Sequence, residues 1–342
     1  MLYKTLVRPL ALRMDPEAAH DRALALAERC GRSRIARDAA EIIFVVADRR
    51  LQQTVFGLDF PNPVGLGAGY DKNAQAVEFW PALGFGFVEI GSVTARPQAG
   101  NEPPRLWRLV EQRALINRMG FNNDGAEAVA ARLPATRRIP IGVNVGMNRD
   151  VERPNAAGNY AETITKFHGR ADFFVLNVSS PNTPGLRKLQ ERPFLNELLA
   201  GIPTETPVLL KLAPDLSFDQ LDDALELAGQ HKLAGIVATN TTTNHPTPPE
   251  GGLSGAPLRA HATECVRHIF RHTDGALPVI GVGGVFTAED AYAKIRAGAS
   301  LIEVWTGMIY EGPAIARDIN LGLLRLLERD GFNSITEAVG TE

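Results

Sequence analysis

Apolar residues along this chain follow two different periods. Near the start they fall four apart, so that Leu2, Leu6, Leu10 and Met14 share one helical face and Lys4, Arg8 and Arg13 are left for the other. Asp15-Pro16-Glu17 then supplies an N-cap, a proline at the first helical position and an early acid, which predicts a second helix carrying Ala23, Leu24, Ala27 and Cys30. From Pro63 onward the pattern changes to short β-prone runs: Val64 to Ala68, Phe87 to Ile90, Ile141 to Val145, Phe173 to Val178, Val208 to Leu212, Ile236 to Thr239, Val279 to Val282 and Leu301 to Trp305. Helix-like segments lie between most of them, among them Ala74 to Leu83, Phe218 to His231 and Ala288 to Ala297, the last two preceded by the capping residues Ser217 and Thr287.

This alternation predicts an α/β chain: a (β/α)8 TIM barrel over residues 51–342 with a small helical extension over residues 1–50. The insert from Arg96 to Asn123 predicts a hairpin over the barrel mouth, with arms Arg105 to Val110 and Ala114 to Asn117 around Glu111-Gln112. The extension's apolar faces either pack on the barrel or dip into a membrane interface.

In such a barrel the active site lies at the carboxyl ends of the strands. Those ends read Ala68-Gly69 with Lys72, then Ser92, Asn144, Asn177, Lys211, Thr239-Asn240-Thr241, Gly283-Gly284 and Thr306-Gly307. Packing accounts for one or two polar strand ends, not for eight converging on one mouth. The stretch Leu176 to Leu186 is the densest of them. It leaves a buried strand and turns at once into amides, hydroxyls, two prolines and a glycine, with Asn177 and Asn182 offering paired donors and acceptors to a small planar ligand.

Lys211 interrupts an apolar strand and needs an anionic or strongly accepting partner if it is buried. Gly281 to Val285 and Thr306 to Met308 follow the last two strands, where barrels of this kind often bind phosphate on backbone N–H groups. No GxGxxG follows the first strand, which disfavours a nicotinamide-binding Rossmann domain. A phosphorylated planar cofactor fits these features. Flavin mononucleotide (FMN) is one candidate, and pyridoxal phosphate, with Lys211 as its Schiff-base lysine, is another.

Composition narrows the partners. The 342 residues are 44% hydrophobic and 22% charged with a net charge of -3, an ordinary globular balance without a long basic tract for nucleic acid. The only two cysteines, Cys30 and Cys265, lie far apart without a nearby Cys/His ligand pattern, so neither a disulfide framework nor a metal site is expected. No apolar run is long enough to span a bilayer.

At this point the residues resemble a known family. Gly67-Ala68-Gly69-Tyr70-Asp71-Lys72, Asn117 to Asn123, Asn177 to Gly185, Lys211 to Leu216, Ala238 to Thr242, Gly252-Leu253-Ser254-Gly255 and Gly281 to Gly284 resemble, in this order, dihydroorotate dehydrogenase. The resemblance runs from about Leu6 to the last helix. Class 2 of that family, quinone-linked and membrane-associated, carries a serine base and a helical extension, whereas the soluble class 1 enzymes carry a cysteine and lack the extension. With Ser180 and residues 1–50, this chain is similar to class 2.

The resemblance implies that Ala68, Gly69, Tyr70, Asp71, Lys72, Ser92, Asn144, Asn177, Lys211, Thr239, Gly255, Gly284, Trp305 and Thr306 surround FMN. It implies that Lys72, Asn117, Asn177, Asn182, Asn240 and Thr241 hold orotate, with Arg118, Met119, Gly120 and Phe121 closing the pocket. Ser180, assisted by water or by a neighbour such as Thr183, would take the proton beside the ring carbonyl of dihydroorotate while hydride passes to the flavin. Electrons would then reach a membrane quinone through a passage between the N-terminal helices, with His20 and Arg108 at its inner end. Trp305-Thr306 departs from a family pattern of tyrosine followed by serine or threonine: the threonine keeps a hydroxyl for phosphate, while an indole cannot accept a hydrogen bond.

These implications place the chain as a peripheral monomer on the cytoplasmic face of a bacterial cell membrane, acting in pyrimidine biosynthesis without nucleic acid. A class 1-like enzyme using fumarate or a partner protein is the nearest alternative. A dihydrouridine synthase would require a basic RNA-binding surface and an added domain. A barrel that only binds a phosphorylated ligand would be colourless, or would hold a flavin that substrate never bleaches.

Overall fold

The computed structural model describes residues 3–203 and 205–342, so Leu2 of the N-terminal stripe lies outside the described residues. A wide helical turn, Tyr3–Val7, leads into α1 (Arg8–Arg13), followed by α2 (Pro16–Arg32) and α3 (Arg34–Phe44). Asp15 caps α2 by accepting from the backbone N–H groups of Glu17 and Ala18 at 3.1 and 2.9 Å. Three helices form where the periodicity predicts two. Ser33 ends α2 and starts α3, its hydroxyl accepting from Ala36 N at 3.3 Å. Leu24 and Ala27 are buried, whereas Leu6 and Leu10 are 59% and 64% exposed.

A short hairpin, β1 (Gln53–Val55) and β2 (Leu58–Phe60), comes next and was not anticipated by the pattern. The barrel strands follow: β3 (Val64–Leu66), β4 (Phe87–Val93), then, after a second hairpin of β5 (Leu106–Leu109) and β6 (Ala114–Asn117), β7 (Ile141–Val145), β8 (Phe173–Asn177), β9 (Val208–Leu212) and β10 (Gly235–Ala238). β11 (Gly252–Gly255) joins the β5–β6 hairpin, and β12 (Val279–Val282) and β13 (Ala299–Val304) complete the barrel. The eight parallel strands close in the order β10-β12-β13-β3-β4-β7-β8-β9. This is the expected (β/α)8 TIM barrel, with the N-terminal helices outside it.

The helices of the crossovers and the C-terminal end are α4 (Ala126–Arg132), α5 (Ala156–Lys166), α6 (Arg192–Ala200), α7 (Phe218–Gln230), α8 (Arg259–His272), α9 (Ala288–Arg296), α10 (Thr306–Glu311) and α11 (Ile315–Asp330). Ser217 and Thr287 cap α7 and α9, each in a reciprocal capping box. The helix expected over Ala74 to Leu83 does not form, and only a 3-10 turn, Pro81–Leu83, is present. The fully buried Asp71 carboxylate explains this. It accepts from Gln75 N, Ala76 N and the Trp80 indole at 2.7, 2.9 and 3.0 Å, and so draws the backbone away from helical pairing, with Ala74 at φ +56°.

The barrel interior is layered. Its lower end is plugged by Val55 and Phe60 of the first hairpin packed on Phe87, Phe173, Leu209, Val237 and Leu301. Glycine is required beside these rings: a Cβ on Gly65 or Gly142 would fall 2.3 and 2.2 Å from Phe87 and Phe173. Two residues further along, the same strands present Glu89, Lys211 and Glu303. Beyond them come the polar groups of the mouth.

Candidate active site

Strand register brings the amides together. Asn177 on β8 stands level with Lys211 on β9, and Asn144 on β7 with Gly91 on β4, one residue from Ser92. The Asn177 amide donates to Ser92 Oγ and Asn144 Oδ1, both at 3.0 Å, while the Ser92 hydroxyl donates to Asn144. Its Oδ1 accepts from Asn240 at 3.2 Å and from the Ser179 hydroxyl at 3.1 Å. On the hairpin side Asn182 donates to Asn117 Oδ1 at 3.0 Å, and Asn117 donates to Gly252 O at 3.2 Å. The buried Tyr160 hydroxyl donates to Asn177 O at 2.9 Å and anchors the end of β8. A neutral, mutually braced ring of amides results. Each amide has limited rotational freedom, which favours recognition of a planar ligand.

One cleft of about 1240 Å³, including its open mouth, gathers most of the expected site residues. Its wall contains Ala68, Gly69, Lys72 and Ser92 from the first two strands, and Asn117, Met119, Gly120 and Phe121 from the hairpin segment. Asn177, Ser180, Asn182, Lys211, Thr239, Asn240 and Thr241 follow from the middle strands, and Gly255, Trp305 and Thr306 from the last part of the chain. His20 lines it too, beside Glu17.

Other expected residues stand back from the wall. Asn144 is completely buried behind Ser92, and Asp71 is engaged under the turn after β3. Tyr70 packs edge-on between His20, Trp80 and Trp305 at centroid distances of 5.0, 5.7 and 5.8 Å. Gly284 packs against α8, where a Cβ would meet Arg259 Cβ at 2.5 Å. Arg118 lies over Trp107 and lines a second cleft on the far side of Pro181 and Asn182. Arg108 ties the α1–α2 junction to β5 by donating to Met14 O at 2.8 Å.

Ser180 is buried in the loop after β8, and its Oγ accepts from Asn182 N at 3.3 Å. Close by in the same loop the buried Thr183 hydroxyl has no partner among the described residues. Arg187 holds this loop in place, donating to Ser179 O and Thr241 O at 3.0 and 2.9 Å while pairing with Asp215 at 2.6 Å. It was not singled out in the sequence, where its only signal is its position just after Pro184-Gly185-Leu186.

The electrostatics divide the cleft. Burial and then nearby Arg105 pull the Lys72 ammonium down to about 8, and Lys72 makes no direct hydrogen bond or ion pair with the described residues. Burial and then the Lys72 charge take His20 down to about 4, so its imidazole is neutral at pH 7. At the floor Lys211 Nζ lies 3.3 Å from Glu89 and 3.4 Å from Glu303, all three buried. Burial opposes the Lys211 ammonium, and the carboxylates of Glu303 and Glu89 more than offset it, holding its pKa above the ordinary lysine value. The two acids were missed in the sequence although each interrupts an apolar strand as Lys211 does.

Glycines leave open the end nearest β12 and β13. Gly255, Gly283, Thr306 and Gly307 line it, with Gly255 and Gly283 at φ +101° and +112°, and the Thr306 and Ser254 hydroxyls share a 2.8 Å hydrogen bond. Backbone can approach an anionic group closely there. With the braced amides and a buried lysine, this donor set fits a phosphorylated planar cofactor. One group of described residues has metal-ligand spacing, Asp222, His268 and His272 on α7 and α8, and none of them lines the cleft.

Fold and cleft together are those of a TIM-barrel enzyme, with the cleft at the carboxyl ends of the strands. Residues 50–327 match the family model for dihydroorotate dehydrogenase. A Natronomonas pharaonis protein named dihydroorotate dehydrogenase (quinone) is 49% identical over 347 residues, covering 98% of each chain. One of the same name from Thermus thermophilus is 51% identical over 336 residues, covering 95% of this chain and 97% of the relative. Among solved structures, the ligand-free DHODH of Eimeria tenella superimposes with a TM-score of 0.87 at 36% identity, covering 96% of this chain and 99% of that one. The chain belongs to the dihydroorotate dehydrogenase family and is an oxidoreductase.

Proposed function

We propose that this protein oxidises dihydroorotate to orotate in pyrimidine biosynthesis and delivers the electrons, by way of FMN, to a membrane quinone. The observation that carries this reading is the meeting of Ser180, Lys72 and the amides of Asn117, Asn177, Asn182 and Asn240 in one cleft above a buried lysine. The quinone as acceptor is supported by the relatives from Natronomonas pharaonis and Thermus thermophilus, both named dihydroorotate dehydrogenase (quinone).

FMN, when bound, supplies two-electron chemistry between a substrate that gives up hydrogen and a quinone that takes electrons. Ala68, Gly69, Ser92, Asn177, Lys211, Thr239, Gly255 and Thr306 are the wall residues assigned to hold it, with Gly283 and Gly307 at the phosphate end. The amides orient the substrate ring through its own amide edges, and Lys72 pairs with its carboxylate. Ser180 Oγ accepts the proton from the carbon beside the ring carbonyl. A free serine hydroxyl is a weak base, and water or the buried Thr183 hydroxyl would relay that proton outward. Met119, Gly120 and Phe121 close the pocket and limit the entry of solvent.

Mixing the flavin-loaded protein with dihydroorotate without oxygen should bleach the flavin, and a short-chain quinone should restore its colour. Bleaching without restoration would retain the substrate and exclude the quinone. A protein that takes up no flavin would exclude the whole reading.

The Lys72 ammonium is charged below a pKa of about 8 and neutral above it. Since the substrate remains a carboxylate throughout, its affinity should fall as pH rises through that value, visible as a rise in KM. Lys72→Arg, which stays charged, should remove this alkaline rise. A KM that is flat from pH 7 to 10 in the wild type would remove Lys72 from carboxylate binding.

Residues 1–50 are assigned to membrane contact and quinone access. Among the described residues no helix is long and apolar enough to cross a membrane, yet eight of their eleven exposed large hydrophobics fall between Leu6 and Val45. Ile35 and Ile42 on α3 are 82% and 86% exposed, beside Arg34 and Arg37. This pattern supports peripheral attachment to a membrane, and the reading takes the protein as a monomer at its cytoplasmic face. Replacing both isoleucines by glutamate should release the protein from sedimenting lipid vesicles by about tenfold or more, given ~0.8 kcal/mol per buried CH₂. Its reaction with a water-soluble electron acceptor should be unaffected, and unchanged vesicle binding would exclude α3 from the contact.

A further inference from the structure

The floor of the cleft holds more acid than its single lysine can balance. Glu303 on β13 is almost wholly buried, with its Oε2 3.4 Å from Lys211 Nζ. Glu89 on β4 faces the same ammonium from the other side and also accepts from the Asn144 amide. The charged and titratable groups facing Glu303 are therefore Glu89 and Lys211, and β3 approaches it only as backbone, with a Cβ on Gly67 falling 3.1 Å from Oε2.

A donor inventory decides the protonation state. Lys211 and Asn144 provide the N–H groups in this layer, and their contacts go to Glu89 and to Glu303 Oε2. Glu303 Oε1 receives none from the described residues, although it is shielded from solvent. An ionised carboxylate with a bare oxygen in such a place carries the full desolvation cost of that charge. A carboxylic acid carries no such charge, and Glu89, which faces the same ammonium, makes a second negative charge there unfavourable.

We propose that Glu303 stands as a neutral carboxylic acid at the cofactor floor, and that its ionisation sets the alkaline limit of the flavin's redox potential. One positive and one negative charge then cancel beneath the cofactor, and loss of the Glu303 proton leaves the floor with a net negative charge. A negative floor disfavours electron uptake by a ring above it. Burial, followed by the Glu89 charge, pushes the Glu303 carboxyl well above its ordinary range, in keeping with this assignment. Glu303 acts here as a positioning residue. Its link to the flavin rests on the cofactor reading given above, whereas its protonation does not.

The test uses the purified flavin-loaded protein and Glu303→Gln, which keeps the shape and neutrality of the acid. Infrared spectra at neutral pH should contain a protonated-carboxyl carbonyl band that is lost in E303Q. The midpoint potentials of the two proteins should coincide at neutral pH and diverge in alkali, the wild type falling below the variant. No lost band, together with a variant potential already raised at neutral pH, would overturn the proposal by showing an ionised Glu303. If E303Q does not fold, carboxyl-carbon NMR of glutamate-labelled wild type decides instead. A buried carboxyl that stays protonated through neutral pH supports the assignment, and its absence overturns it. A chain that carries the band but binds no flavin would defeat the cofactor reading alone.

Discussion

Ser180→Ala is expected to slow the bleaching of bound flavin by dihydroorotate about 10²- to 10⁴-fold, the range over which a positioned general base contributes. The return of colour driven by quinone should keep its wild-type rate. The asymmetry follows from the position of the residue. Ser180 lies on the loop after β8, between Asn177 and Asn182 in sequence, and among the described residues its hydroxyl has a hydrogen bond only from Asn182 N. Removing that oxygen takes away the proton acceptor without disturbing the braced amides, because their bonds run among Asn177, Ser92, Asn144, Ser179 and Asn240. The ring-binding groups stay in place and only the proton loses its destination. Rapid-mixing absorbance of the two half-reactions, taken separately, reads the difference. Equal slowing of both would indicate a collapsed pocket, and no slowing of the first would exclude Ser180 as the base.

Much of this arrangement is legible in the sequence because barrel strands announce themselves locally. The runs at Ile141 to Val145, Val208 to Leu212 and Val279 to Val282 coincide residue for residue with β7, β9 and β12. Their β-branched, apolar composition needs no information from elsewhere in the chain. What escaped depends on partners distant in sequence. β11 is a strand only because β6 supplies its hydrogen bonds, 135 residues away at the Asn117–Gly252 pair. Ala74 to Leu83 has helical spacing, but a buried aspartate captures its backbone. Glu89 and Glu303 sit in runs already recognised as strands. That they face one lysine across the barrel is a matter of closure and stagger, which no single strand encodes.

Lys211→Met should have the largest effect on stability of any change at the site. It removes the ammonium from between two buried acids and leaves the Glu89 charge with only the Asn144 amide to meet it. Removing one partner of a buried ion pair costs about 3–5 kcal/mol. That is a large share of the stability of an ordinary domain. The variant should purify with little or no flavin and unfold at lower denaturant, both measurable on one preparation. The cost lies in the stranded charge more than in the lost side chain, so Glu89→Gln added to Lys211→Met should restore most of the stability. It should not restore flavin binding, because the double variant still lacks the cation assigned to the ring. A thermodynamic cycle over the wild type, both single variants and the double measures the coupling directly. Coupling below about 0.5 kcal/mol would place the two residues in separate roles, and full flavin content in the lysine variant would remove Lys211 from the cofactor site.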